Sequence, residues 1–309
     1  MGSLPGTDIA EAQRIVLGEL PDLPHLPELP NRGPGADMVG RGAAFLVELP
    51  VELYAARWRV AARPGRDRRR TLDLLERDLD QMTEQAAEFD GTFKVQAAGP
   101  LTLAANIDLA LGGRILRDHG AVRDLSESLA EGLRAHVADV RRRLPAATVL
   151  LQLDEPSLPD ALAGRIATDS GLYTYRSIES STASSLLRTV VEAAGAPVVL
   201  HCCAPDVPLD VVRASGATAV ALDLSLVDKL DPLGEAIDAG LGLFAGATGT
   251  SKGAADQVLG VWRQLGFPDQ RLPDQVVVTP PCGLAGSSAT EARRVLTAVR
   301  EAAQRLHES

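Results

Sequence analysis

The stretch Val198-Val-Leu-His-Cys-Cys203 decides how the rest of the chain is read. A short apolar run after Ala196-Pro197 predicts a buried strand whose end carries His201 and Cys203 one residue apart. Side chains alternate between the faces of a strand, so those two leave on one face and Cys202 on the other, where it fills core space. A neutral imidazole and a thiolate that converge are good ligands for Zn2+, but two ligands do not make a site. Cys282 follows a second apolar run, Gln275-Val-Val-Val-Thr279, in Pro280-Pro-Cys-Gly-Leu284. Thr218-Ala-Val-Ala-Leu-Asp-Leu224 is again strand-like and ends near Asp223. His201, Cys203, Asp223 and Cys282 therefore make a nitrogen, sulfur and oxygen donor set carried by separate strand ends.

Composition bounds what such a site can belong to. At 309 residues and 45% hydrophobic, the chain can bury a large core, as two ordinary domains or one αβ barrel. A formal net charge of -10 argues against nucleic acid or an anionic membrane as partner, since both want a basic face. Neither an apolar run of about 18 residues nor a charged-then-apolar leader is visible, so a cytoplasmic protein is expected. Three cysteines are an odd number in a long chain and point to metal binding or catalysis rather than a disulfide framework. His25, His119, His136 and His307 stand in Pro-rich or polar helical surroundings and are expected at the surface.

Gly2-Ser-Leu-Pro-Gly-Thr7 predicts a first strand cut short, and Asp8 N-caps a helix running to Leu17. Prolines at 21, 24, 27, 30 and 34 exclude helix over 21–36 and predict a Pro-rich loop packed across a barrel face. Ala43 to Leu49 is expected as a second strand with Glu48 at its end, and Val51 to Ala62 as a helix. Strands follow at Phe93 to Ala97, Thr148 to Leu153, the His201 and Asp223 runs, Gly240 to Gly246 and the run before Cys282, with helices between. Eight strands alternating with helices predict an α/β fold, a single-domain (β/α)8 TIM barrel over residues 1–309. A doubly wound sheet has the same pattern. The barrel is preferred because Asp154, His201, Cys203, Asp223 and Cys282 all fall at carboxyl ends of strands, which a closed barrel gathers on one face.

Gly2-Ser-Leu-Pro5, Gly99-Pro-Leu-Thr102, Asp154-Glu-Pro-Ser-Leu158, His201-Cys-Cys203 and Cys282-Gly-Leu284 span essentially the whole chain. Together they resemble the C-terminal catalytic domain of cobalamin-independent methionine synthase, and more closely its short stand-alone core relatives. The resemblance implies zinc held by His201, Cys203 and Cys282, with Asp223 where the family has a Glu one methylene longer. It also implies that Asp154 binds the amino group of homocysteine and Ser3 its carboxylate. A helix N-cap ahead of Pro156 is the lesser reading of Asp154. The family's second acid for the amine falls in Arg32-Gly-Pro-Gly35, where none exists, and Glu48 is the expected replacement.

Two departures bear on the methyl donor. Ala104-Ala-Asn-Ile107 lacks the aromatic with which the family stacks folate, and Ala247 stands where the family has a proton-donating His. With 3% aromatic residues there is little else to stack a pterin. The expectation is a zinc-dependent methyltransferase that converts the homocysteine thiol to methionine, with a methylcorrinoid or corrinoid protein as donor. No catalytic residue is expected beyond the metal site. A free thiol of pKa about 8.5 is only a few per cent ionised at pH 7, so coordination would supply the nucleophile. Alkyl transfer to another thiol such as coenzyme M, and a zinc-binding protein without turnover, are the other readings.

Overall fold

A computed structural model describes residues 1–308. In chain order the elements are α1 (Ile9–Glu19), α2 (Met38–Ala44), β1 (Val51–Tyr54), β2 (Arg57–Val60), α3 (Arg66–Ala86), β3 (Thr92–Ala98), α4 (Pro100–Asn106), α5 (His119–Arg143), β4 (Thr148–Asp154) and α6 (Leu158–Ala163). They continue with α7 (Ser180–Ala194), β5 (Val198–Cys202), α8 (Leu209–Ala214), β6 (Ala219–Asp223), α9 (Asp231–Asp238), β7 (Gly242–Gly246), α10 (Ser251–Gln264), α11 (Leu272–Gln275), β8 (Val276–Thr279) and α12 (Ala289–His307). β3 to β8 form one parallel six-stranded sheet in chain order, curled into a partial barrel, while β1 and β2 make a separate antiparallel hairpin.

Period-2 alternation divides this sheet into two chemistries. Outward residues such as Val95, Leu151, Leu200, Val220 and Leu243 join the main hydrophobic core beneath the helices. Inward residues Leu150, Val199, Ala219, Ala221 and Phe244 form a separate, smaller cluster in the lumen. Each fully buried Val or Leu of the outer layer contributes roughly 1.5–3 kcal/mol. Cys202 faces outward and is fully buried, as the alternation requires.

The eight-strand expectation is corrected in its first two strands. Ala43 to Leu49 is not a strand: Asp37 caps α2 through the backbone N–H of Gly40, and the helix runs through Ala43 and Ala44 into a turn. Val51 to Ala62 is not a helix but the β1–β2 hairpin, closed by Ala55 and Ala56 at φ 48° and 63°. The barrel positions ahead of β3 are filled instead by isolated parallel bridges, His25 with Lys94 and Ser3 with Glu28. Lys94 donates its N–H to the Pro24 carbonyl, and Leu26 donates to the Lys94 carbonyl. Glu28 and the Gly2–Leu4 segment exchange two further bonds, and Leu284 donates to the Ser3 carbonyl. The Pro-rich segment is thus part of the wall; its prolines lack the N–H groups that a longer ladder needs.

One buried carboxyl joins two motifs distant in sequence. Glu155 accepts from the backbone N–H groups of Leu101 and Thr102 and from the Thr102 hydroxyl, at 2.9, 2.7 and 2.6 Å. It satisfies the open N-terminus of α4, where Gly99 leaves room: a Cβ there would lie 2.3 Å from Glu155 Oε1. Among the described residues no helix is long and apolar enough to cross a membrane.

Burial pushes the Glu155 carboxyl up to about 7 against an ordinary 4.5, and the hydrogen bonds only partly oppose it. A folded-state value above the unfolded one means that stability is lost as pH rises from about 4.5 to about 7. Guanidinium denaturation should therefore show the stability gap between wild type and Glu155→Gln shrinking by up to about 3 kcal/mol across that range. A constant gap would contradict this account.

Candidate active site

The register of the sheet builds the site. Ala98 pairs with Asp154, and Asp154 with His201, so neighbouring strands deliver a carboxylate and an imidazole at the same level of the barrel mouth. Asp154 Oδ1 lies 2.7 Å from His201 Nδ1 and accepts from Gln152 Nε2 at 2.6 Å. Burial alone would raise the Asp154 carboxyl, but its hydrogen bond to His201 and the charges of His201 and Lys94 hold it below the ordinary value. With Nδ1 engaged, His201 presents Nε2, which is buried and has no hydrogen-bond partner among the described residues.

Cys203 and Cys282 meet across the mouth, their Sγ atoms 3.3 Å apart. Both are free thiols, the separation being far beyond a disulfide bond of about 2.05 Å. Their mutual hydrogen bond drives Cys282 down to about 6 and Cys203 up. Backbone hydrogen bonding at Gly283 and the charge of His201 also favour the Cys282 thiolate. Ser3 packs on the same turn: a Cβ on Gly283 would sit 2.0 Å from Ser3 Oγ, so only glycine permits this approach.

Two expected residues are not brought to this cluster. Asp223 ends β6 but spends Oδ1 on the N–H and hydroxyl of Ser225, at 2.9 and 2.6 Å, capping the turn that follows. Glu48 is exposed in the turn after α2, at φ 56°, where neighbouring Val47 bonds Ser128 of α5 on the helix layer. Among the described residues, no three His, Cys, Asp or Glu side chains stand together as a ready metal cage. The donor chemistry nevertheless suits zinc at two points: an orphaned imidazole nitrogen and a thiol pair with one low pKa.

Residues 82–305 match the family described as the cobalamin-independent synthase catalytic domain. The chain belongs to that family. It is accordingly an enzyme of the methionine-synthase-like methyltransferases. Among solved structures it is similar to a B12-independent methionine synthase from Shewanella sp. W3-18-1 in complex with selenomethionine, with 13% identity and a TM-score of 0.60. That likeness covers 97% of this chain and 88% of the other. A methyltransferase from Methanosarcina mazei is similar at 12% identity and a TM-score of 0.59, covering 97% and 84%. At these identities the likeness shows the fold. A search of curated protein sequences found no match.

Sequence reasoning missed Glu28, hidden among prolines. The residue is 7% exposed, and it shares the interior with Asp154, Lys94 and Gln96. Burial raises its carboxyl, and Arg41, donating from Nε at 3.1 Å, opposes the rise. Arg41 is itself anchored on buried Asp78, which also takes both ends of the Arg32 guanidinium at 2.6 and 2.8 Å. Lys94 is likewise buried, bonds Gln96 at 2.9 Å and is lowered to about 8 by desolvation against the pull of Asp154 and Glu28. Two histidines expected at the surface are interior: His25 is 3% exposed, and His136 is 7% exposed with its ring 4.6 Å from that of Phe45.

In chelator-treated protein, iodoacetamide should alkylate Cys282 with a pH midpoint near about 6. Cys203→Ala removes the neighbour that stabilises the thiolate and should move that midpoint up by roughly one pH unit or more. A wild-type midpoint at the ordinary thiol value would refute the pairing.

Proposed function

We propose that this enzyme transfers a methyl group to the sulfur of homocysteine, giving methionine, with zinc at the barrel mouth. The observation that carries the reading is the thiol pair Cys203 and Cys282 in a chain whose family is that of the cobalamin-independent synthases. His201 through Nε2, Cys203 and Cys282 are the proposed zinc donors, a three-ligand set that leaves a position for substrate. Asp223 is the proposed fourth donor only if it leaves Ser225. Zinc bound there would act as a Lewis acid that lowers the pKa of an incoming thiol.

The remaining roles fall to the chain's own groups. Asp154 fixes the His201 tautomer by accepting from Nδ1–H, the usual support for a ligating imidazole. Glu28, buried beside the Ser3 segment, takes the place first given to Glu48, and its carboxylate with that of Asp154 suits an ammonium. Ser3 offers a hydroxyl to the amino acid's carboxylate. Holding the acceptor at both polar ends aligns its sulfur for in-line attack on a methyl carbon, which is where orientation lowers the barrier. Ala104, Ala105 and Ala247 are buried and offer no ring for a pterin, so a methylcorrinoid is the proposed donor.

Elemental analysis should find about one zinc per chain, lost in Cys203→Ser and in Cys282→Ser and kept in Asp223→Ala. Mass spectrometry should detect methionine from homocysteine with methylcobalamin and not with methylfolate, and Glu28→Gln should raise KM for homocysteine roughly tenfold. Protein that takes up no zinc, or that makes no methionine when loaded, overturns the reading.

A further inference from the structure

β8 turns one hydroxyl inward where its other residues are valines. Val277 packs against the lumen cluster and Val278 joins the outer core, so Thr279, two residues beyond Val277, faces the lumen. In the register of the sheet Val277 is level with Phe244, Ala221 and His201, whereas Thr279 is level with Gly246 and Asp223. The hydroxyl therefore stands one layer nearer the mouth than His201, and Cys282 follows three residues later.

Thr279 is 7% exposed, and its Oγ1 is buried with no hydrogen-bond partner among the described residues. Its backbone is satisfied separately, since the Thr279 carbonyl accepts from the Ala247 N–H. A strand asks only for the β-branch, which valine supplies at the three preceding positions, and a buried hydroxyl without a partner costs free energy that a methyl group does not. A ligand that accepts from this hydroxyl would restore the missing bond. Thr279 lines a cavity of about 630 Å³ together with Ser3, Met1 and the buried Lys94. Asp154 and Glu28 are outside that lining, and the one carboxylate in it among the described residues, Asp22, is exposed. Two hydroxyl donors near a lysine, with both buried acids outside the lining, suit an anion.

We propose that the Thr279 hydroxyl, together with that of Ser3, donates to the α-carboxylate of the amino-acid acceptor. This rests on the reading of that acceptor as homocysteine, with Asp154 and Glu28 at its amino group. L-methionine, which carries the same amine and carboxylate but no thiol for a metal, is the probe, titrated into the full chain by isothermal titration calorimetry. Its control is 3-(methylthio)propylamine, which lacks the carboxylate. Thr279→Val should weaken methionine binding tenfold or more, leave the weaker binding of the control unchanged and melt no lower than wild type. Thr279→Ser keeps the hydroxyl and should restore methionine binding. Equal binding of methionine by wild type and Thr279→Val overturns the proposal and leaves the homocysteine reading standing. An equal loss for both ligands also overturns it, because the hydroxyl would then serve the amine or the sulfur. A wild type that binds methionine no better than the control removes the amino-acid acceptor itself, and the proposal with it.

Discussion

Parallel pairing of β4 with β5 puts Asp154 beside His201, and the rest of the site is arranged around that one contact. The hydrogen bond holds the imidazole by one nitrogen and leaves the other buried and unpartnered among the described residues, and rotation would break the contact with a buried carboxylate. Losing that hydrogen bond to a buried carboxylate is costly even with Gln152 still donating to it, so the ring orientation is set by the fold before any ligand arrives. Gln152 reinforces it from the same strand, and Gly283 lets Ser3 close against the cysteine turn.

The lumen below is polar in an ordered way. Lys94, Gln96, Gln152 and Asp154 occupy inward positions on β3 and β4, and Lys94–Gln96 and Gln152–Asp154 are bonded along their own strands. Gln152 Oε1, Thr279 Oγ1, His201 Nε2 and His25 Nε2 are left without partners among the described residues. Buried polar groups are normally satisfied, so these four on the inner face, in a sheet whose outer face is apolar, are available to a ligand in the lumen. Acids and amines there also hold one another's charge: Glu28 and Asp154 keep Lys94 protonated higher than burial alone would allow.

Much of this was legible in the residues. The apolar runs before His201, Asp223 and Cys282 are strands, and their ends lie at one end of a curled parallel sheet because each strand is followed by a helix that returns the chain. The errors have local causes. Val51 to Val60 alternates like a strand, but its turn is Ala55-Ala56 rather than the glycine or asparagine pair that announces a hairpin. Ala43 to Val47 is apolar throughout, and hydrophobicity without period does not separate a buried strand from the end of a buried helix. Glu28 and His25 were obscured by prolines, which forbid helix but not an extended wall. The engagement of Asp223 by Ser225 is a side-chain choice that no spacing encodes.

The wall is also mechanically uneven. From β3 to β8 each strand is laced to its neighbours by a continuous ladder, whereas the two positions ahead of β3 are tied by a handful of bonds interrupted by Pro24 and Pro27. Local opening draws on the few bonds that must break together, so the seam beside Ser3 is the compliant side of the molecule and the seam beside His201 the stiff one. The rigid side carries the imidazole and its carboxylate, and the yielding side carries Ser3 and Glu28. Under the roles proposed above, a small amino acid would enter by displacing Ser3 and Glu28 while His201 and Asp154 keep their positions.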